Sequence, residues 1–197
     1  MLTVAVLGPV EISRDGERIS VPSGKTTEVL VRLALDAGTL VRAEKMIDEL
    51  WAAAAASTVK NTLQSKVSQL RRALGEPGVI TSSHSGYTLN IDPGCVDALR
   101  VAGVAASAAA LRHRGQASAA LELATEGLSL FRGEVLLDAG EGDWLQPHRA
   151  RLDEARVGLF EDQLAARVEL GAGGEVIGQL EGLVEAYPLR EGLWCSL

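Results

Sequence analysis

A chain of 197 residues can hold one large or two small domains, and its three Trp, two Tyr and two Phe leave the cores to Leu, Val and Ala, which favours helix over sheet. The net charge of −7 excludes an indiscriminate polyanion binder, and the wide separation of Cys95 from Cys195 excludes a disulfide framework or a zinc ribbon. Residues 1–13 carry no basic leader and no run approaches the roughly eighteen apolar residues of a membrane span, so a soluble cytoplasmic protein with no membrane partner is expected.

The chain opens with strand-like alternation through 3–7, 10–14 and 17–21, and Asp15-Gly16 between the last two is a hairpin signal. From Thr27 the period changes. Val29, Leu30, Leu33 and Ala37 share one helical face, and Gly38 is placed to cap that first helix. Met46, Ile47, Leu50 and Trp51 mark a short second helix. A third is expected over 58–74, with Ser57 and Thr58 as its N-cap, Val59, Leu63, Val67, Leu70 and Leu74 at steps of four, four, three and four, and Gly75 as its end. Strands at 79–82 and 87–91 follow, joined by the polar turn Ser83-His84-Ser85-Gly86, and Asp92-Pro93-Gly94 is the expected domain boundary. Helices are then expected at 97–112, 117–131, 147–170 and 175–187, with 115–131 and 171–187 reading as two helical-repeat units.

Charge follows this division. Residues 1–92 balance ten Lys and Arg against ten Asp and Glu, whereas 93–197 hold nine against sixteen. Between Ser57 and Gly75 there are Lys60, Lys66, Arg71 and Arg72, and no acid.

On a helical projection the apolar residues of the third helix occupy a stripe about 80° wide, leaving Asn61, Gln64, Ser65, Ser68 and Arg72 on the opposite face. Asn and Gln pair bidentately with adenine in the major groove, Arg pairs with guanine, and Ser reaches several base edges. Lys60 and Arg71 flank that face on one side and Gln69 on the other, where side chains reach phosphates and set register. A solvated amphipathic helix would show a similar polar face; the order of elements decides between the two. A sheet, three helices and a closing hairpin in about ninety residues make the winged-helix plan, in which Ser83, His84 and Ser85 of the wing meet phosphate or the minor groove.

Other signals carry less. Gly24-Lys25-Thr26 imitates the end of a phosphate-binding loop, but Ile19 stands where that motif needs its first glycine. His84, His113 and His148 lack metal spacing, the acids before Trp144 suit a helix start, and no base lies beside either cysteine. No catalytic residue, metal or cofactor is expected.

Leu7-Gly8-Pro9-Val10, residues 46–51 (MIDELW), Asn61-Thr62-Leu63-Gln64, residues 67–75 (VSQLRRALG) and Gly86-Tyr87-Thr88-Leu89 together resemble the actinobacterial antibiotic-pathway regulators of the SARP type. So do Trp144 before a long helix, Tyr187-Pro188-Leu189-Arg190-Glu191 and Leu193-Trp194. The resemblance implies an α+β OmpR-like winged helix over 1–92 and an all-α, TPR-like bacterial transcriptional activation domain over 93–197. It further implies an activator that binds promoter direct repeats as a pair of copies and helps RNA polymerase engage through its sigma factor. The alternative from another class is an interaction adaptor whose helical half binds a partner protein.

Two departures from the family pattern stand out. Five alanines at 52–56 replace a Gly- and Pro-containing loop and favour continuation of the second helix, which puts that loop's polymerase contact in doubt. The chain also stops at Leu197 just as a helix is expected to begin after Pro188, an arrangement expected of a fragment or a shortened member with an incomplete activation domain.

Overall fold

The computed structural model describes residues 1–51 and 56–187, with side chains throughout except at 56–58, 175 and 186. It divides into two compact units, Met1–Arg100 with Arg132–Ala150 and Val101–Phe131 with Arg151–Leu197.

The first unit begins with an antiparallel sheet in the order β1 (Leu2–Ala5), β2 (Glu11–Arg14), β3 (Glu17–Ile19). Asp15 and Gly16, at φ 51° and 87°, form the two-residue turn that sets Arg14 opposite Glu17, as the sequence signal requires. Helices α1 (Lys25–Ala34), α2 (Ala43–Leu50) and α3 (Ala56–Leu74) follow, and a second sheet runs β4–β6–β5 from Val41–Arg42, Gly86–Leu89 and Ile80–Ser82. The strand β4 was not foreseen: two residues are too few for alternation to show, and pairing with β6 is what makes them a strand. Helix α3 starts at Ala56, so Ser57 and Thr58 lie in its first turn instead of capping it. Helix α2 stops at Leu50 and Trp51 leaves the helical region at φ −136°, while the alanines 52–55 and the stretch after Tyr187 lie outside the described residues.

The periodicity of α3 is explained by what it packs on. Val59, Leu63, Val67, Leu70 and Leu74 are all buried, and the helix lies against α1 and α2. Fully burying five such side chains contributes about 1.5–3 kcal/mol each, enough to hold the opposite face toward solvent. Gly75, at φ 69°, ends the helix with its N–H donating to the Arg71 carbonyl at 3.1 Å.

The expected boundary at Asp92-Pro93-Gly94 is a capped single turn, where Asp92 accepts from the Gly94 N–H at 2.7 Å. The chain stays with the first unit beyond it, and residues 132–150 return to that unit. Asp97 is the anchor. Its buried carboxylate accepts from the N–H groups of Val6 (2.8 and 2.9 Å), Leu7 (3.0 Å) and Ala98 (2.7 Å), and the Arg132 guanidinium stands 3.6 Å away. Burial pushes this carboxyl above its ordinary value, while the three backbone donors and Arg132 pull it the other way. Arg132 N–H donates to the Leu7 carbonyl (2.7 Å), Leu136 N–H to Val6 (3.0 Å), and Val10 N–H to Asp138 (2.7 Å). Gly8 is required in this seam: its φ is 145°, and a Cβ there would meet Arg132 at 3.0 Å.

The second unit takes α4 (Asp97–His113) from Val101 onward, α5 (Ala117–Ser129), α6 (Gln146–Glu169) from Arg151 onward, and α7 (Gly173–Ala186). These helices match the expected ones to within about two residues at each end, the ordinary uncertainty of helix termini. Gly115 and Gly171, at φ 71° and 88°, make the turns between α4 and α5 and between α6 and α7. Leu164, Val176, Leu180 and Val184 form one core cluster, and Ala117, Ala120 and Ala166 another. Asp162, buried on α6, receives Arg112 of α4 at 2.6 Å.

Replacing Asp97 by Asn would turn an amide nitrogen toward backbone N–H donors, and a loss of about 1–3 kcal/mol is expected in urea unfolding, against no change on Asp92→Asn beyond a few tenths. A Cβ on Gly86 would overlap the Val41 carbonyl oxygen and lie 2.8 Å from its carbon. Both neighbours are backbone, so Gly86→Ala should force β4 and β6 apart and cost about 3 kcal/mol, read as a lowered melting temperature.

Candidate nucleic-acid interface

Helix α3 turns its buried stripe inward and leaves Lys60, Asn61, Gln64, Ser65, Ser68 and Arg72 exposed. No acidic residue stands on the helix. Side chains of two to seven heavy atoms, with donors and acceptors in a row about three turns long, can meet base edges without repelling phosphate. Among the described residues, Lys60 and Arg72 make no ion pair, so their charges are not spent within the fold.

The flanks differ from the helix-wheel reading. Gln69 is half-buried and its Oε1 accepts from the Thr26 hydroxyl at 3.0 Å, tying α3 to the start of α1, with Lys66 Nζ at 3.5 Å from the same oxygen. Arg71 is also half-buried, and its Nε donates to the Ile80 carbonyl at 2.8 Å. Neither bond was legible from spacing, because each partner belongs to another element.

The wing is the hairpin of β5 and β6. Ser83 N–H donates to the Gly86 carbonyl at 2.9 Å, closing the tip, and Ser85 N–H donates to the Ser83 hydroxyl at 3.2 Å. Ser83 and His84 are exposed and Ser85 is half-buried. The turn is held on its other side by Ala43 N–H, which donates to the Ser85 carbonyl at 2.9 Å. A groove walled by Gln64, Ser68 and Arg71 on the helix and by Ser82, Ser83 and Tyr87 on the wing brings the two halves of the candidate site together. Burial pushes the Tyr87 phenol above its ordinary value, against the pull of Arg71. Arg42 of β4, paired with Gly86, is a cation at this end of the unit that sequence reasoning missed; it is exposed and makes no ion pair among the described residues.

Behind the site, Arg32 of α1 is 1% exposed; it pairs with Glu49 of α2, with Asp36 at 2.6 Å, and lies 5.4 Å from the Trp144 ring. Trp144 is thereby a packing residue of the first unit. Among the described residues no group of His, Cys, Asp and Glu is disposed to hold a metal, and no helix is long and apolar enough to cross a membrane.

Comparison with known proteins agrees with this architecture. Residues 16–89 match the family "Transcriptional regulatory protein, C terminal", and residues 96–197 match the bacterial transcriptional activator domain. The transcriptional regulator RedD of Streptomyces coelicolor is 36% identical over 201 residues, covering 98% of this chain and 57% of RedD. The regulatory protein DnrI of Streptomyces peucetius is 29% identical over 205 residues, covering 99% of this chain and 75% of DnrI. A solved structure of Mycobacterium tuberculosis EmbR in complex with a low-affinity phosphopeptide superposes over all of this chain with a TM-score of 0.88 at 28% identity, and this chain spans 53% of it. A winged helix over the first matched region and a helical domain over the second are the parts these relatives share, and the chain belongs to the SARP-type regulators, which join an OmpR-like winged helix to a bacterial transcriptional activator domain.

Proposed function

We propose that this chain is a sequence-specific DNA-binding transcriptional regulator, non-enzymatic and cytoplasmic, that activates transcription. Two copies bind adjacent direct repeats of promoter DNA through the first unit, and the acidic helical unit takes part in contacts with the partner copy and with RNA polymerase holoenzyme. One observation carries the reading: α3 is fixed by a buried apolar stripe and presents Asn61, Gln64, Ser65, Ser68 and Arg72 as an exposed face without an acid, beside a wing that offers Ser83, His84 and Ser85. Asn61 and Gln64 suit adenine, Arg72 suits guanine, and Lys60 with the wing hydroxyls suits phosphate.

Overall acidity is no obstacle. The surplus of acid belongs to residues 93–197, and the first 92 residues are formally neutral. Binding then depends on local cations, whose contacts with phosphate release condensed counterions.

On a duplex selected by the chain from a random-sequence pool, affinity should fall steeply between about 50 and 200 mM salt. Asn61→Ala and Arg72→Ala should each cost about 1–3 kcal/mol on that duplex and relax the choice of base at their own positions. Binding indifferent to salt and to both substitutions would rule out the proposed role in fluorescence anisotropy titrations.

A further inference from the structure

The register of the wing turns the Ile80 carbonyl away from its partner strand. Asn90 N–H donates to the Val79 carbonyl at 2.7 Å, and Ile80 lies opposite Leu89, so Ile80–Leu89 is a non-hydrogen-bonded pair of the antiparallel ladder. The Ile80 carbonyl therefore points away from β6. Strand β5 is the edge of its sheet, so no further strand can take that carbonyl up. Ile80 is buried, and a buried carbonyl without a partner is costly. Arg71 supplies the donor, with Nε at 2.8 Å.

We propose that Arg71 is a positioning residue: it fixes the angle between the recognition helix and the wing through the Ile80 carbonyl, and acts on DNA by placing Ser83, His84 and Ser85 rather than by a phosphate contact of its own. The inference rests on the DNA-binding reading above. Two cations of α3 make the contrast. Lys60 and Arg72 are exposed and make no ion pair among the described residues, whereas Arg71 is half-buried in the wall of the helix–wing groove. A guanidinium is suited to this place, because its planar Nε–H makes a directed bond to the carbonyl while the rest of the group stays charged and hydrated in the groove.

The salt slope separates the two roles, since each lost contact between a cation and a phosphate lowers it by about one, whereas displacing the hydroxyls of the wing releases no counterion. The probe is the duplex selected by the wild-type chain, titrated by anisotropy from about 50 to 200 mM salt. Wild type, Lys60→Ala, Arg71→Ala and Arg71→Gln are compared, each also in a background with Ser83, His84 and Ser85 replaced by Ala. Arg71→Ala should weaken binding about tenfold with the wild-type slope, Lys60→Ala should lower the slope by about one, and the Arg71→Ala loss should vanish in the wing background. Arg71→Gln keeps an N–H donor of nearly the same reach and supplies the slope if Arg71→Ala does not fold; it should recover part of the affinity. A slope lowered by about one in either Arg71 variant, losses that add to those of the wing background, or no loss at all overturns the inference alone. A wild-type chain that binds without salt dependence overturns the DNA-binding reading, and this inference with it.

Discussion

The carboxylate of Asp97 is the constraint on which the first unit depends. Three backbone N–H groups, from Val6, Leu7 and Ala98, converge on it in a buried setting. Without it the turn that leaves β1 would hold unsatisfied donors away from water, which costs more than the bonds themselves contribute. With it, the path of residues 6–10 is fixed, and that path forms the ledge onto which Arg132, Leu136 and Asp138 bond. Leu7-Gly8-Pro9-Val10 stands out in the sequence as a motif; the structure gives it a mechanical meaning. Gly8 allows close approach of the backbone at Arg132, and Pro9 offers its carbonyl to the Arg132 guanidinium at 2.9 Å. A segment more than a hundred residues downstream thus becomes part of the winged-helix unit.

Ion pairing explains how a formally neutral half can present a cationic face. Away from α3, most acids are engaged: Glu11 with Arg18 and Arg132, Glu28 with Lys25, Glu49 and Asp36 with Arg32, Glu76 with Arg14, and Asp15 with the N-terminal amine. Most of these pairs are solvent-exposed and add little to stability. Their consequence is electrostatic: they cancel charge locally, and Arg42, Lys60 and Arg72 are left without ion pairs among the described residues. Counting charges per domain therefore understates the field at the helix. Where the acids sit matters more than how many there are.

Periodic features were legible in the sequence. The α3 stripe, the Asp15-Gly16 hairpin, the two wing strands and all four later helices follow from patterns in which a residue's neighbours along the chain also decide its environment. The same pattern puts Asn61, Gln64, Ser65, Ser68 and Arg72 on the outer face, and they are exposed, as is Lys60 on its flank. Features that depend on distant partners were not legible. The strand β4 exists through its pairing with Gly86 and Tyr87, and Gln69 and Arg71 look like flanking solvent residues until Thr26 and Ile80 are placed beside them. The acids and Trp144 before α6 read as the start of a helix; the ring's approach to the buried Arg32 could not be read from either segment alone. The glycines carried more information than their use as punctuation suggested, since Gly8 and Gly86 stand where another backbone comes too close for a Cβ.

The two ties of α3 bear on how the proposed interface would read DNA. Gln69 binds α3 to Thr26 at the beginning of α1, and Arg71 binds it to the edge of the wing, so two residues near each other on one helix fix it to two different elements. On the proposed face Asn61, Ser65 and Ser68, set between the longer Gln64 and Arg72, are side chains too short to search for a base by bending far from the helix axis. Such a face needs a helix already held at the right depth and angle, because a displacement of about 1 Å takes a short side chain out of hydrogen-bond range. Rigid attachment and short side chains are therefore parts of one arrangement: the half-buried bonds of Gln69 and Arg71 hold the helix still, and Asn61, Ser65 and Ser68 let it come close.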